Sequence, residues 1–112
     1  MATAAPSKKE WIVMMPDKPG MLAKRVEVRN THLQNLNPVL ESGFLKMGGS
    51  TLEHHPAEGE NPPPMTGSAL LVAADSVKEI REILSKDIYA TSGVWDLENA
   101  KIIPFKCAIR TA

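Results

Sequence analysis

Two short runs of this sequence are apolar at every position: Trp11-Ile12-Val13-Met14-Met15 and Ala69-Leu70-Leu71-Val72-Ala73-Ala74. A β-strand sends successive side chains to opposite faces, so a strand without alternation needs cover on both. Each run is followed by helical signals. Between Met21 and about Glu41, Leu22, Val26, Leu33, Leu36 and Leu40 fall in one narrow stripe when residues advance by about 100°. Pro38 predicts a kink or break near Asn37, with Asn37 capping a last turn that begins at the proline. Gly43 ends the helix. Downstream, Ser76 with Glu79 three residues on has the spacing of a capping box, and Val77, Ile80 and Leu84 form the apolar face of a second helix. Asp87 to Gly93 reads as a short further turn.

Phe44 to Leu52 is a second strand, in which Gly48-Gly49 predicts a bulge or a close approach. Residues 54–66, with Pro62-Pro63-Pro64, read as a long exposed loop, the least ordered internal stretch and a flap over a pocket. Gly67 to Ala74 is the third strand. Trp95 to about Ile109 is the fourth, with a break near Glu98-Asn99. Residues 1–9 read as a disordered tail and 10–112 as a single domain. The resulting order, βαββαβ, is the ferredoxin-like α+β plan, an antiparallel sheet with both helices on one face. Two helices cover one face only. The other is expected to meet a second copy of the chain, giving a homodimer.

Charge narrows the partners. Thirteen Lys and Arg balance thirteen Asp and Glu, which excludes the basic footprint that duplex nucleic acid requires. Five aromatic residues are too few for a base-stacking platform. No apolar run approaches the roughly 18 residues of a membrane span, and the first ten residues hold no hydrophobic stretch of the signal-peptide kind. The expectation is a soluble cytoplasmic protein with no membrane partner. The single cysteine, Cys107, is expected to be an inert thiol in an apolar strand.

The first helix holds the main chemical candidates. Arg25, Arg29 and His32 follow one another at spacings of four and three, neighbouring positions of one helical face. Relative to Leu22, Arg29 lies about 20° away, Arg25 about 60° and His32 about 80°. That arrangement turns Arg29 partly into the core and leaves the other two at its edge. A guanidinium there needs a carboxylate or carbonyl partner, and a structural ion pair satisfies the pattern as well as a binding role does. His32 can serve as general acid or base near neutral pH. Asp87, at the end of the second helix, is either the cap of the turn at Ile88-Tyr89-Ala90 or the partner of a side chain from helix one. His54-His55 are adjacent on a loop and lack metal-ligand spacing, so no metal is expected. No phosphate loop, dinucleotide fingerprint or nucleophile elbow is present.

Four segments together resemble the YCII-related proteins: Lys24 to Leu33 with its arginine and His-Leu, Met65 to Val72 with Gly67-Ser68, Asp87 to Val94, and Ile102-Ile103-Pro104-Phe105. The resemblance covers about residues 10–109. It implies a dimeric α+β barrel of ferredoxin-like subunits, in a superfamily with muconolactone isomerase-like enzymes, cofactor-independent monooxygenases and a dehydrochlorinase. It also implies an active-site histidine and aspartate, which fall on His32 and Asp87, with Gly67-Ser68 lining the same region. Two positions depart from the pattern: Ile88 stands where the family has proline, and Gly48-Gly49 where it often has Gly-Pro.

The expected function is a small cofactor-free isomerase or lyase that transfers a proton on a compact cyclic or aromatic acid. His32 shuttles the proton, Asp87 fixes its tautomer, and Arg25, Arg29 and Ser68 bind substrate. The alternatives are a non-catalytic small-molecule-binding or stress-related protein, and a structural dimer with a buried polar network.

Overall fold

The structure, a computed structural model, describes residues 8–111. The first apolar run lies in β1 (Glu10–Pro16). The expected tail lies outside the described residues except for Lys8 and Lys9. These two are already tied down: the Lys9 carbonyl accepts from the Ala74 amide at 2.8 Å, and Lys8 Nζ reaches Glu79 at 3.3 Å.

Helix α1 (Leu22–Glu41) runs through Pro38 without a break, which corrects the expected cap at Asn37. The proline removes one bond, to the carbonyl of Gln34, and Gln34 is on the exposed side, where water substitutes. Beyond it, the Ser42 amide bonds the Pro38 carbonyl at 2.9 Å and the Gly43 amide that of Leu40 at 3.1 Å. Gly43 then stops the helix at φ +82°, a left-handed conformation that only glycine adopts without strain.

The inward face of α1 is not the leucine stripe. Val26, Leu33 and Leu40 are exposed, while Arg25 is buried and Val28, Leu36 and Val39 pack on the core. The true face is centred near His32, about 80° from the expected one. Because it contains an arginine and a histidine, it has no hydrophobic advantage over the outward face, and periodicity selects the wrong stripe.

Strands β2 (Leu45–Leu52), β3 (Met65–Ala73) and β4 (Lys101–Phe105) complete one antiparallel sheet of order β2-β3-β1-β4. The expected ferredoxin-like α+β plan is the observed fold. Helix α2 (Val77–Leu84) begins as its capping signal predicts, with Ser76 Oγ accepting from the Glu79 amide. Helix α3 (Ile88–Thr91) is the short further turn, and a 3₁₀ turn at Leu97–Asn99 makes the expected break before β4. β4 ends at Phe105, so Cys107 lies past the strand, half-buried, with its Sγ on the Ile109 carbonyl.

The irregularity in β2 comes before the glycines. Leu45 pairs with Val72 and Met47 with Leu71, so Lys46 is the extra residue and Leu45 turns inward while Met47 turns out. Gly48 then faces inward, where a Cβ would stand 2.9 Å from a methyl of Leu70. The connection from β2 to β3 closes on itself: the Glu53 amide bonds the Pro64 carbonyl at 3.0 Å. Within it, the Ala57 amide and the His54 imidazole hold the Glu60 carboxyl below the usual carboxylate range.

The core lies between the sheet and the helices, with Val13, Met15, Leu45, Val72 and Ala74 meeting Phe44, Ile80 and Leu84. The opposite face exposes Met14, Met47, Ile103 and Phe105. No described helix is long and apolar enough to cross a membrane.

Gly67 offers a test of the central ladder. It pairs with Pro16, and a Cβ there would collide with the Met15 carbonyl oxygen and the Pro16 backbone. Gly67→Ala is expected to lower unfolding free energy by about 1–3 kcal/mol, the usual cost of overpacking. Gly49→Ala, where a Cβ meets nothing within 4 Å, is expected to stay within about 0.5 kcal/mol of the parent. Urea denaturation of both variants checks this.

Candidate active site

Between α1, the β2–β3 ladder and the end of α2 lies a cavity of about 350 Å³, within the size range of small-molecule sites. Its polar end is organised by Arg25, which is 1% exposed. Nε and Nη2 donate to the two carboxylate oxygens of Asp17 at 2.7 and 3.0 Å. Nη2 also donates to Ser68 Oγ at 2.7 Å, and Nη1 to Ser50 Oγ at 3.3 Å. Ser68 Oγ accepts in addition from Trp95 Nε1 at 3.1 Å. A buried cation is tolerated only when its donors are satisfied in this way.

Tyr89 carries the frame from Arg25 to His32. The guanidinium carbon lies 4.5 Å from the centroid of the Tyr89 ring, and the His32 imidazole stacks on that ring at 4.0 Å. Seven residues of helix separate Arg25 from His32, about 10.5 Å along the axis, which is room for one aromatic ring. Trp95 meets Tyr89 and His32 edge-on at 5.6 and 6.1 Å.

His32 Nδ1 lies 2.8 Å from Asp87 Oδ1, with both side chains largely buried. A carboxylate only accepts, so the hydrogen of this bond sits on Nδ1, and in the neutral ring Nε2 is left as an acceptor. Asp87 is held in turn by its own role as N-cap: the same oxygen accepts the Tyr89 amide at 2.8 Å. The two readings of Asp87 are therefore both met. It caps α3 and faces helix one, so its charge belongs to the favourable N-terminal end of the next turn.

The structure thus brings His32, Asp87, Arg25 and Ser68 into one site. Arg29 also lines the cavity but is exposed, which corrects the expectation that it enters the core. The rotation of the helix face explains both arginines. Sequence reasoning missed Asp17, Ser50, Tyr89 and Trp95 as parts of the site. Asp17 lies in the turn eight residues before Arg25, and an acid at the turn preceding an inward arginine is the signal that finds it. None of residues 54–66 lines the cavity, so the loop is not a flap over it in this structure.

The profile of the YCII-related domain matches residues 10–106. This chain belongs to the YCII-related family. Among curated relatives, fusaric acid biosynthesis protein 2 of Gibberella fujikuroi is 42% identical over 98 residues, covering 88% of this chain and 93% of that protein. An aspartate kinase of Fusarium oxysporum is 42% identical over 100 residues, and there this YCII-related chain spans 18% of the longer protein. Among solved structures, the 5-chloro-2-hydroxyhydroquinone dehydrochlorinase of Burkholderia phenoliruptrix AC1100, in complex with 2,5-dihydroxybenzoquinone, superposes with a TM-score of 0.71. That pair is 25% identical, over 87% of this chain and 93% of the other.

Two tests follow from the frame. Asp17→Asn leaves Arg25 buried without its counter-ion, and is expected to destabilise the YCII-related fold by about 3–5 kcal/mol in chemical denaturation. Burial pushes the Tyr89 phenol above its ordinary value of 10, against the opposing pull of Arg25 and Arg29. For a group whose folded value is raised, the stability it contributes is complete below the unfolded value and lost as pH rises through the folded one. An alkaline titration followed by phenolate absorbance reads this single tyrosine alone. Its ionisation is expected above pH 10 and coupled to loss of stability, and Tyr89→Phe removes that alkaline component.

Proposed function

We propose that this chain is an enzyme of the isomerase or lyase class that moves a proton on a compact cyclic or aromatic acid. The observation that carries the reading is the His32–Asp87 hydrogen bond on the wall of a small-molecule-sized cavity. Asp87 keeps the Nδ1 hydrogen in place and stabilises the imidazolium that forms, the part a third group plays in a hydrolytic triad. His32 Nε2 takes a proton from a hydroxyl or activated carbon of the substrate. In the lyase form, the electron pair left behind moves into the ring and expels an anionic leaving group, and the imidazolium gives its proton to solvent. In the isomerase form, the imidazolium returns the proton at a second carbon. Neither form needs a metal or redox group.

The two arginines divide the remaining work. Arg25 spends its donors on Asp17, Ser50 and Ser68, so it positions Tyr89 and with it His32. Arg29, on the cavity wall and open to solvent, meets the substrate carboxylate or developing enolate. Support from outside the chain comes from the dehydrochlorinase neighbour, seen with a dihydroxybenzoquinone, and from the fusaric acid biosynthesis relatives.

The working unit is proposed to be a homodimer. Met47 on β2 is 65% exposed on the helix-free face of the sheet, and Met14 on β1 and Ile103 and Phe105 on β4 are exposed on the same face. An apolar surface of this kind marks an interface, and obligate ones commonly bury about 2,000 Å² or more.

Chlorinated hydroquinones assayed by chloride release, and unsaturated lactones assayed by proton exchange in D₂O, test the chemistry. His32→Ala is expected to lower kcat by about 10²–10⁴-fold, the usual contribution of a general acid–base group. Arg29→Ala is expected to raise KM with kcat little changed. A His32→Ala protein that keeps the parent rate would overturn the reading, and tight binding without turnover would assign the non-catalytic alternative. Sedimentation at micromolar concentration is expected to give a dimer, and a monodisperse monomer would remove the interface.

A further inference from the structure

The lining of the cavity changes character along its length. Polar groups come from α1 as far as His32, the end of β2, the start of β3 and α3: Arg25, His32, Ser50, Ser68 and Tyr89. The other end holds Leu36 and Val39 from the last turns of α1, Phe44 before β2, Leu70 in β3, and Ile83 and Leu84 at the end of α2. The strand register fixes this order. Ser50 pairs with Ser68, and two residues further along the same inward face Gly48 pairs with Leu70. Because Gly48 has no side chain, the Leu70 methyl fills the place where a Cβ would be, 2.9 Å away, and the strand adds no polar atom. These six form a hydrocarbon chamber, and Asn35 and Lys86, both exposed, also line the cavity beside Leu36 and beyond Leu84.

We propose that the hydrocarbon chamber is a tail subsite, and that the ligand of this cavity is an acidic ring bearing a saturated chain. The proposal rests on the cavity being the ligand site, and it names the part of the ligand that the polar end cannot accommodate. A bare hydroxylated ring set against His32 leaves the walls of Leu36, Val39, Phe44 and Ile83 facing empty space or trapped water, both of which cost free energy. From His32 to Val39 is seven residues, about 10.5 Å of helix, enough for a straight chain of about four to six carbons.

The experiment is calorimetric titration of the full chain with 4-n-alkylbenzoates from methyl to heptyl. Each buried methylene contributes about 0.8 kcal/mol, so Kd is expected to tighten about fourfold per carbon and to level off between butyl and hexyl. Val39→Trp fills the far end, and the break is then expected to move to a shorter chain. Ile83→Phe gives the same readout if the tryptophan variant does not fold. A Kd independent of chain length would overturn the subsite. So would an unbroken rise that ignores both variants, since that describes adsorption to the open face of the sheet. The same series on His32→Ala separates the two readings. If the base is misassigned, the break persists; if the chamber is misassigned, the break is absent whatever His32 does to turnover.

Discussion

A guanidinium with almost no solvent contact sits at the join of four segments. Arg25 leaves helix α1, reaches Asp17 in the turn after β1, and bonds a serine on each of β2 and β3. Without those acceptors the burial would cost several kcal/mol, so the turn, the helix and the two strands keep one mutual arrangement. Tyr89 lies against the guanidinium and His32 lies against Tyr89. The position of the imidazole is thus inherited from an ion pair two helical turns away, and Asp87 completes it from the other side.

This frame explains why α1 leaves a cavity beneath it. A helix packed on a sheet by interlocking aliphatic side chains closes the space between them. Here the inward face mixes polar and apolar groups: Arg25, Val28, His32, Leu36 and Val39. The polar members are held by partners outside the helix, and the cavity lies against them and the β2–β3 ladder. Its polar half and its hydrocarbon half repeat the order of residues along α1. A single helical face sets the chemistry of the site from one end to the other.

Much of this was legible in the sequence. The two continuous apolar runs, the capping box at Ser76 and the turn residues around Gly20 and Gly43 specify the βαββαβ order, because strand and helix signals there do not compete. The pairing of His32 with Asp87 came from the family resemblance, and its geometry from the dual position of Asp87 as helix end and cap. What stayed hidden was the orientation of α1. Its outward face holds Val26, Leu33 and Leu40, its inward face an arginine and a histidine, so a rule that equates inside with apolar rotates the helix by about a quarter turn. Arg25 and Arg29 exchanged roles for that reason alone. Tyr89 and Trp95 stayed hidden as well, since only the tertiary fold brings them against α1.

The proposed proton transfer requires that His32 offer an unprotonated Nε2 to the cavity while Asp87 holds the hydrogen on Nδ1. Long-range proton–nitrogen correlation NMR of the imidazole reads this directly. The Nδ1–H tautomer is expected in the free protein, with a change confined to the Nε2 resonance when an aromatic acid such as 4-n-butylbenzoate fills the cavity. An Nε2–H tautomer in the free protein, or an Nε2 resonance indifferent to a saturating ligand, would contradict it.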